Sequence, residues 1–92
     1  MTDDQLNEAL RAIGKAVFVR YYEKFADETL ARDQVADLLI SENGYNAQAT
    51  VSRVGNARRI FRAGRARDAL RIIAASSRLG QGVKDEARRL IR

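Results

Sequence analysis

Gln48, Ser52, Asn56 and Arg59 recur every three or four residues, so they share one face of any helix that contains them. Their side chains are of the kinds that read base edges. The arginine fork matches guanine, the carboxamides match adenine, and the hydroxyl suits several bases. Arg53, Arg58 and Arg62 flank that row, and Arg65 and Arg67 follow it. Guanidinium groups make paired hydrogen bonds to phosphate oxygens and stay charged at any physiological pH. These nine side chains form a candidate nucleic-acid-binding set, against the plainer reading of a solvated helix face. Asn56 could equally be buried or bond to a neighbouring helix, and Arg58 lies close enough to the apolar side to pack or pair there.

Other chemistries lack their usual residues. The chain has no histidine and no cysteine, which removes the commonest bases, nucleophiles and soft metal ligands. Asp27, Glu28, Asp33 and Asp37 sit at helix starts or one turn apart, where the helix dipole and solvation account for them. Asp33 and Asp37, spaced i,i+4, could together hold a magnesium ion, but nothing else in the chain suggests a substrate pocket. The glycines follow no phosphate-loop spacing. The expectation is a protein that is not an enzyme, with no metal and no cofactor.

Charge is divided along the chain. Residues 1–52 carry five basic and nine acidic side chains, net −4, while residues 53–92 carry twelve basic and three acidic, net +9, which together make the overall +5. Eleven of those twelve are arginine. Arginine on solvated faces, or a genome rich in G and C, would explain a high arginine content. Neither explains why residues 1–52 hold only Arg11, Arg20 and Arg32. A one-sided basic field steers polyanions.

The elements that must carry these residues are helical. The chain has no proline and is rich in Ala, Arg, Leu, Glu and Asp, which favours an all-α fold, a bundle of four to five helices. Its 92 residues allow one core and a single domain, the acidic half supplying the core and the basic half the binding surface. Thr2-Asp3-Asp4-Gln5 matches a capping box, so a helix starts near residue 3. Leu6, Leu10, Ile13 and Val17 continue it, and then Phe18, Tyr21, Tyr22 and Phe25, as one long helix or two abutting at Gly14. That aromatic cluster is apolar round much of its circumference. It belongs in the core or, alternatively, in a homodimer contact.

A second helix runs through Val35, Ala36, Leu38, Leu39 and Ile40 and stops at Glu42-Asn43-Gly44, where Gly44 suits the left-handed position after a helix. Asn46 caps a third helix over about 47–63, closed by Gly64, with Thr50, Val51, Val54, Ala57 and Phe61 on its core face. A fourth spans about 65–75, residues 76–82 form a connector, and a basic amphipathic segment with Lys84, Arg88, Arg89 and Arg92 ends the chain. No apolar stretch approaches the roughly 20 residues of a membrane span. The acidic N-terminus lacks the features of a secretory signal, so a cytoplasmic location is expected.

The second and third helices with the turn between them are compatible with a helix-turn-helix pair. In the compact form of that motif an alanine is followed four residues later by the turn glycine. Here Ile40 lies four residues after Ala36 and the glycine arrives at 44, so the first helix is longer. Residues 41–62, through Thr50, Val51, Arg53, Ala57, Arg58 and Phe61, resemble part of the helical core-binding domain of tyrosine recombinases. The resemblance covers about a quarter of the chain and implies a helical module that clamps DNA, with basic residues on phosphates. The family's serine-proline after the turn is Asn46-Ala47 here, and its catalytic domain has no counterpart, so no catalytic residue carries over.

The expectation is therefore a small DNA-binding regulator of bacterial or phage type. The rival is a helical adaptor whose basic surface meets an acidic protein. RNA is less favoured because exposed aromatic side chains for base stacking are scarce.

Overall fold

In the computed structural model, which describes residues 1–91, the chain opens with the capping box its sequence encodes. Gln5 N donates to Thr2 Oγ1 at 3.1 Å, and Thr2 N donates to Gln5 Oε1 at 2.9 Å. Two donors at the start of α1 (Asp3–Ile13) are thereby satisfied, and Asp3 and Asp4 meet the positive end of its dipole. Leu6, Ala9, Leu10 and Ile13, at helical spacing, form its buried stripe. Gly14 ends the helix at φ 90°, a backbone conformation that disfavours any Cβ.

Beyond Gly14 the aromatic segment forms two short helices, α2 (Lys15–Arg20) and α3 (Tyr22–Ala26), with a further break at Tyr21. The apolar side chains of this stretch surround the axis, and no straight helix can bury all of them in a domain this small. Breaking it allows α2 to pack on the last helix and α3 on the fifth. Phe18 and Phe25 are fully buried and Tyr21 is 6 % exposed, with Phe18 stacked on Phe25 and Phe61 at ring centroid distances of 6.2 and 5.9 Å. Phe18, Tyr21 and Phe25 therefore take the core role, their side chains buried within one chain. Tyr22 is half-buried against Phe18 and Phe61.

A turn built on Asp27 follows, its Oδ1 accepting from Thr29 N at 2.9 Å and from Thr29 Oγ1 at 2.6 Å. Then come α4 (Arg32–Asn43), α5 (Ala47–Arg62), α6 (Ala66–Ala74) and α7 (Gln81–Ile91). Gly44 takes the left-handed conformation, φ 70° and ψ 25°, and its N–H donates to Ile40 O at 2.7 Å. The last helix begins two residues before the apolar pattern that announces it, taking Gln81 and Gly82 from the connector. Arg92, which belongs to the basic pattern of that segment, lies outside the described residues. Among the described residues no strand forms, and no helix is long and apolar enough to cross a membrane.

α5 is the central element, packing on α1, α3, α4 and α6, while α6 and α7 pair with each other. Its buried stripe is Thr50, Val54, Ala57 and Ile60, with Phe61 partly buried. Val51, assigned to that face by periodicity, is instead 55 % exposed. Val51 and Ile60 lie about 100° and 80° round the helix from Thr50, on opposite edges of the stripe. The neighbouring helices cover one edge and leave the other open. Ile60→Ala should accordingly cost about 2–5 kcal/mol in urea denaturation followed by circular dichroism, while Val51→Ala should stay within about 0.5 kcal/mol of the parent.

Several half-buried carboxylates are held below their ordinary range: Asp27 by the Thr29 hydroxyl and amide, Asp68 by Arg65, and Glu86 by Arg89. A carboxylate whose folded value is depressed contributes stability above its unfolded value, and that contribution is lost as pH falls through the folded one. Tm should therefore fall as pH drops below about 4. A calorimetric series on Asp68→Asn should show a shallower acid slope than the parent.

Candidate nucleic-acid interface

Asn46 starts α5, its Oδ1 accepting from Ala49 N at 3.1 Å. The turn before it, Gly44 to Asn46, is held from both sides. On one side Tyr21 Oη donates to Glu42 Oε1 at 2.8 Å, and Asn43 Nδ2 donates to Tyr21 Oη at 2.8 Å and to Leu39 O at 2.9 Å. Burial above all raises the Tyr21 hydroxyl beyond its ordinary value, the Asn43 hydrogen bond opposing and Glu42 adding to the shift, so Tyr21 keeps its proton as donor. On the other side Arg53 lays its guanidinium over the Tyr45 ring, 4.6 Å from the centroid, and donates from Nη1 to Ile13 O at 2.8 Å. The end of α4, the start of α5 and the end of α1 are thus tied into one rigid corner.

The outward face of α5 carries Gln48, Val51, Ser52, Arg59 and Arg62, all exposed, with Gly55 among them partly covered. Asn56 is half-buried, and its Nδ2 donates to Ser52 O at 2.9 Å and to Ser52 Oγ at 3.4 Å, so its amide is engaged by its own helix. Gly55 sits mid-helix, where a glycine costs about 1 kcal/mol relative to alanine. An added Cβ there would meet nothing within 4 Å, so nothing in the fold requires the missing side chain. Val51 and Gly55 belong to this surface and were missed by residue type alone. The one sequence signal for Gly55 is an unforced glycine inside an otherwise helical pattern.

Three of the nine candidate residues are turned into the fold. Arg53 is committed to Ile13 and Tyr45. Arg58 Nη2 donates to Asp27 O at 3.1 Å and Leu30 O at 2.8 Å, anchoring the turn after α3. Arg65 donates to Met1 O at 2.6 Å and forms ion pairs with Asp3 at 2.5 Å and Asp68 at 2.7 Å. Arg67 is exposed, but its Nη2 donates to Ile91 O at 2.5 Å. The reason is geometric: Arg53 and Arg58 lie about 60° and 80° from Thr50, nearer the buried stripe than the outward row, whereas Gln48, Ser52 and Arg59 lie about 160–180° away. A helical projection already separates the two sets.

What remains of the basic field is concentrated. The three acidic residues of the basic half each face an arginine one turn away: Asp68 faces Arg65 and Arg71, Asp85 faces Arg88, and Glu86 faces Arg89. Between Glu42 and Asp68 the sequence has six arginines and no acidic residue, and α5 lies within that span. Asp33 and Asp37 are exposed on the first turns of α4, and among the described residues no group of three or more Asp or Glu side chains gathers as a metal site would.

Comparison of the chain with models of known protein families, with curated proteins and with solved structures finds no match in any of the three. The functional reading of this surface rests on its own geometry. Arg58→Ala, which removes hydrogen bonds to two backbone carbonyls, should destabilise the chain by about 2 kcal/mol or more in thermal melts. Arg59→Ala, one residue on and facing outward, should change stability by less than about 0.5 kcal/mol.

Proposed function

We propose that this chain is a small, non-enzymatic DNA-binding protein in which α4, the three-residue turn and α5 act as a helix-turn-helix pair, with α5 as the reading helix. The observation that carries the proposal is the outward row of α5: Gln48, Val51, Ser52 and Arg59, exposed together on a helix without an acidic residue. In a major groove Arg59 would address guanine, Gln48 adenine, Ser52 a base of either kind, and Val51 a thymine methyl group. Arg62, on the same side, would meet phosphate. A helix of 16 residues is about 24 Å long, enough to lie along the groove. Gly55 leaves the middle of that helix open to close approach. The likeness of residues 41–62 to the recombinase core-binding domain points the same way, although two of its basic positions, Arg53 and Arg58, have structural partners here.

Fluorescence anisotropy with a labelled mixed-sequence duplex should show binding at low salt that weakens with a log-log slope of about −2 to −4. Arg62→Ala should weaken binding to all sequences alike and flatten that slope. Gln48→Ala, Ser52→Ala and Arg59→Ala should relax sequence preference by about 1–3 kcal/mol at the contacted base pair. Gly55→Ala should stabilise the fold by about 0.5–1 kcal/mol, and Gly55→Leu should abolish duplex binding while the chain stays folded. Absence of duplex binding at low salt would overturn the proposal and leave an acidic protein as the partner class.

A further inference from the structure

A cavity of about 290 Å³ opens between the end of α3, the start of α4 and the C-terminal half of α5. It is lined by three arginines, Arg32, Arg58 and Arg62, by one acidic residue, Glu28, and by Phe25 and Phe61. At neutral pH these charges sum to +2. Arg58 is held in place by the carbonyls of Asp27 and Leu30, and its Nε is buried with no hydrogen-bond partner. Arg32 and Arg62 are exposed, and among the described residues neither makes a side-chain hydrogen bond or an ion pair.

A fold that needed only the anchoring of its Asp27 turn would require Arg58 and neither of the others. Gathering three like charges round one concavity with a single carboxylate is unfavourable unless an anion lies between them. We propose that this cavity binds a small organic phosphate monoester. Such a group carries a charge near −2 at neutral pH, matching the lining, and three acceptor oxygens suited to arginine forks. Phe61, partly exposed over the buried Phe25, supplies an apolar wall for its carbon body. The volume lies at the lower limit of ligand pockets, roughly 300 Å³, and suits a compact ester. The phosphate of a duplex is a monoanion linked to chain on both sides, which neither matches this charge nor fits such a concavity. The site does not depend on DNA reading by α5, and Arg62 alone borders both surfaces.

The test is isothermal titration of the full chain with phenyl phosphate at constant ionic strength, with inorganic phosphate and sodium sulfate as comparison anions. Saturable one-site binding is expected, weakened about tenfold or more by Arg32→Gln and by Arg62→Gln. It should be unchanged in Arg78→Gln, a variant of the exposed arginine between α6 and α7. Arg32→Gln should leave duplex affinity as it was, which separates this site from the reading helix. Three results would overturn the proposal: no saturable binding, equal weakening by Arg78→Gln, or phenyl phosphate binding no tighter than sulfate and inorganic phosphate. Far-ultraviolet circular dichroism of each variant establishes that the fold is retained.

Discussion

Arginine donating into backbone carbonyls is the interaction on which this arrangement of helices depends. Seven helices in 91 described residues leave many chain ends, and each helix has up to four carbonyl groups without an intrahelical partner. Arg53 reaches Ile13, the last residue of α1; Arg88 reaches Ala74, the last of α6; and Arg67 reaches Ile91, the last of α7. Arg58 serves Asp27 and Leu30 in the turn after α3, and Arg65 serves Met1. A guanidinium at a helix C-terminus also meets the negative end of the dipole. With no cysteine to cross-link the ends, these contacts fix how the helices meet.

That role changes the meaning of the charge segregation. The acidic N-terminal and basic C-terminal stretches look, along the chain, like a field prepared for a polyanion. In the fold much of the arginine is structural, and the acids of the basic half are paired with it one turn away. Unpaired positive charge remains on the outward side of α5 and round the cavity beside it, and both surfaces depend on Arg58 and Arg53 holding α5 in place. One helix thus has two opposed duties. Thr50, Val54, Ala57 and Ile60 make it the centre of the core, and Gln48, Val51, Ser52 and Arg59 leave its other side exposed.

Precision at the start of α5 comes from a small polar network. Tyr21, Glu42 and Asn43 join the break between α2 and α3 to the end of α4, and Arg53 stacked on Tyr45 joins the turn to α1. The break at Tyr21 therefore lets the aromatic segment bury its rings and brings the Tyr21 hydroxyl to Asn43. A rigid mount of this kind is what a surface needs if it is to present side chains in register to a partner.

Local chemistry is what the sequence determined by itself. The capping box at Thr2, the left-handed glycine at 44, the Asn46 cap and the helical class of nearly every segment follow from neighbours within four residues, and all are legible without the fold. The outward row Gln48, Ser52 and Arg59 was legible for the same reason, since helical projection needs only spacing. Tertiary structure alone decided which edge of α5 would be covered, leaving Val51 open and burying Ile60. It also chose the partners of Arg53, Arg58 and Arg65, which lie 40, 31 and 62 residues away. The cavity shared by Arg32, Arg58 and Arg62 was likewise invisible in the chain, because its walls come from three separate helices. Residue type records that an arginine can donate; only the path of the chain determines whether the acceptor is its own backbone or something outside it.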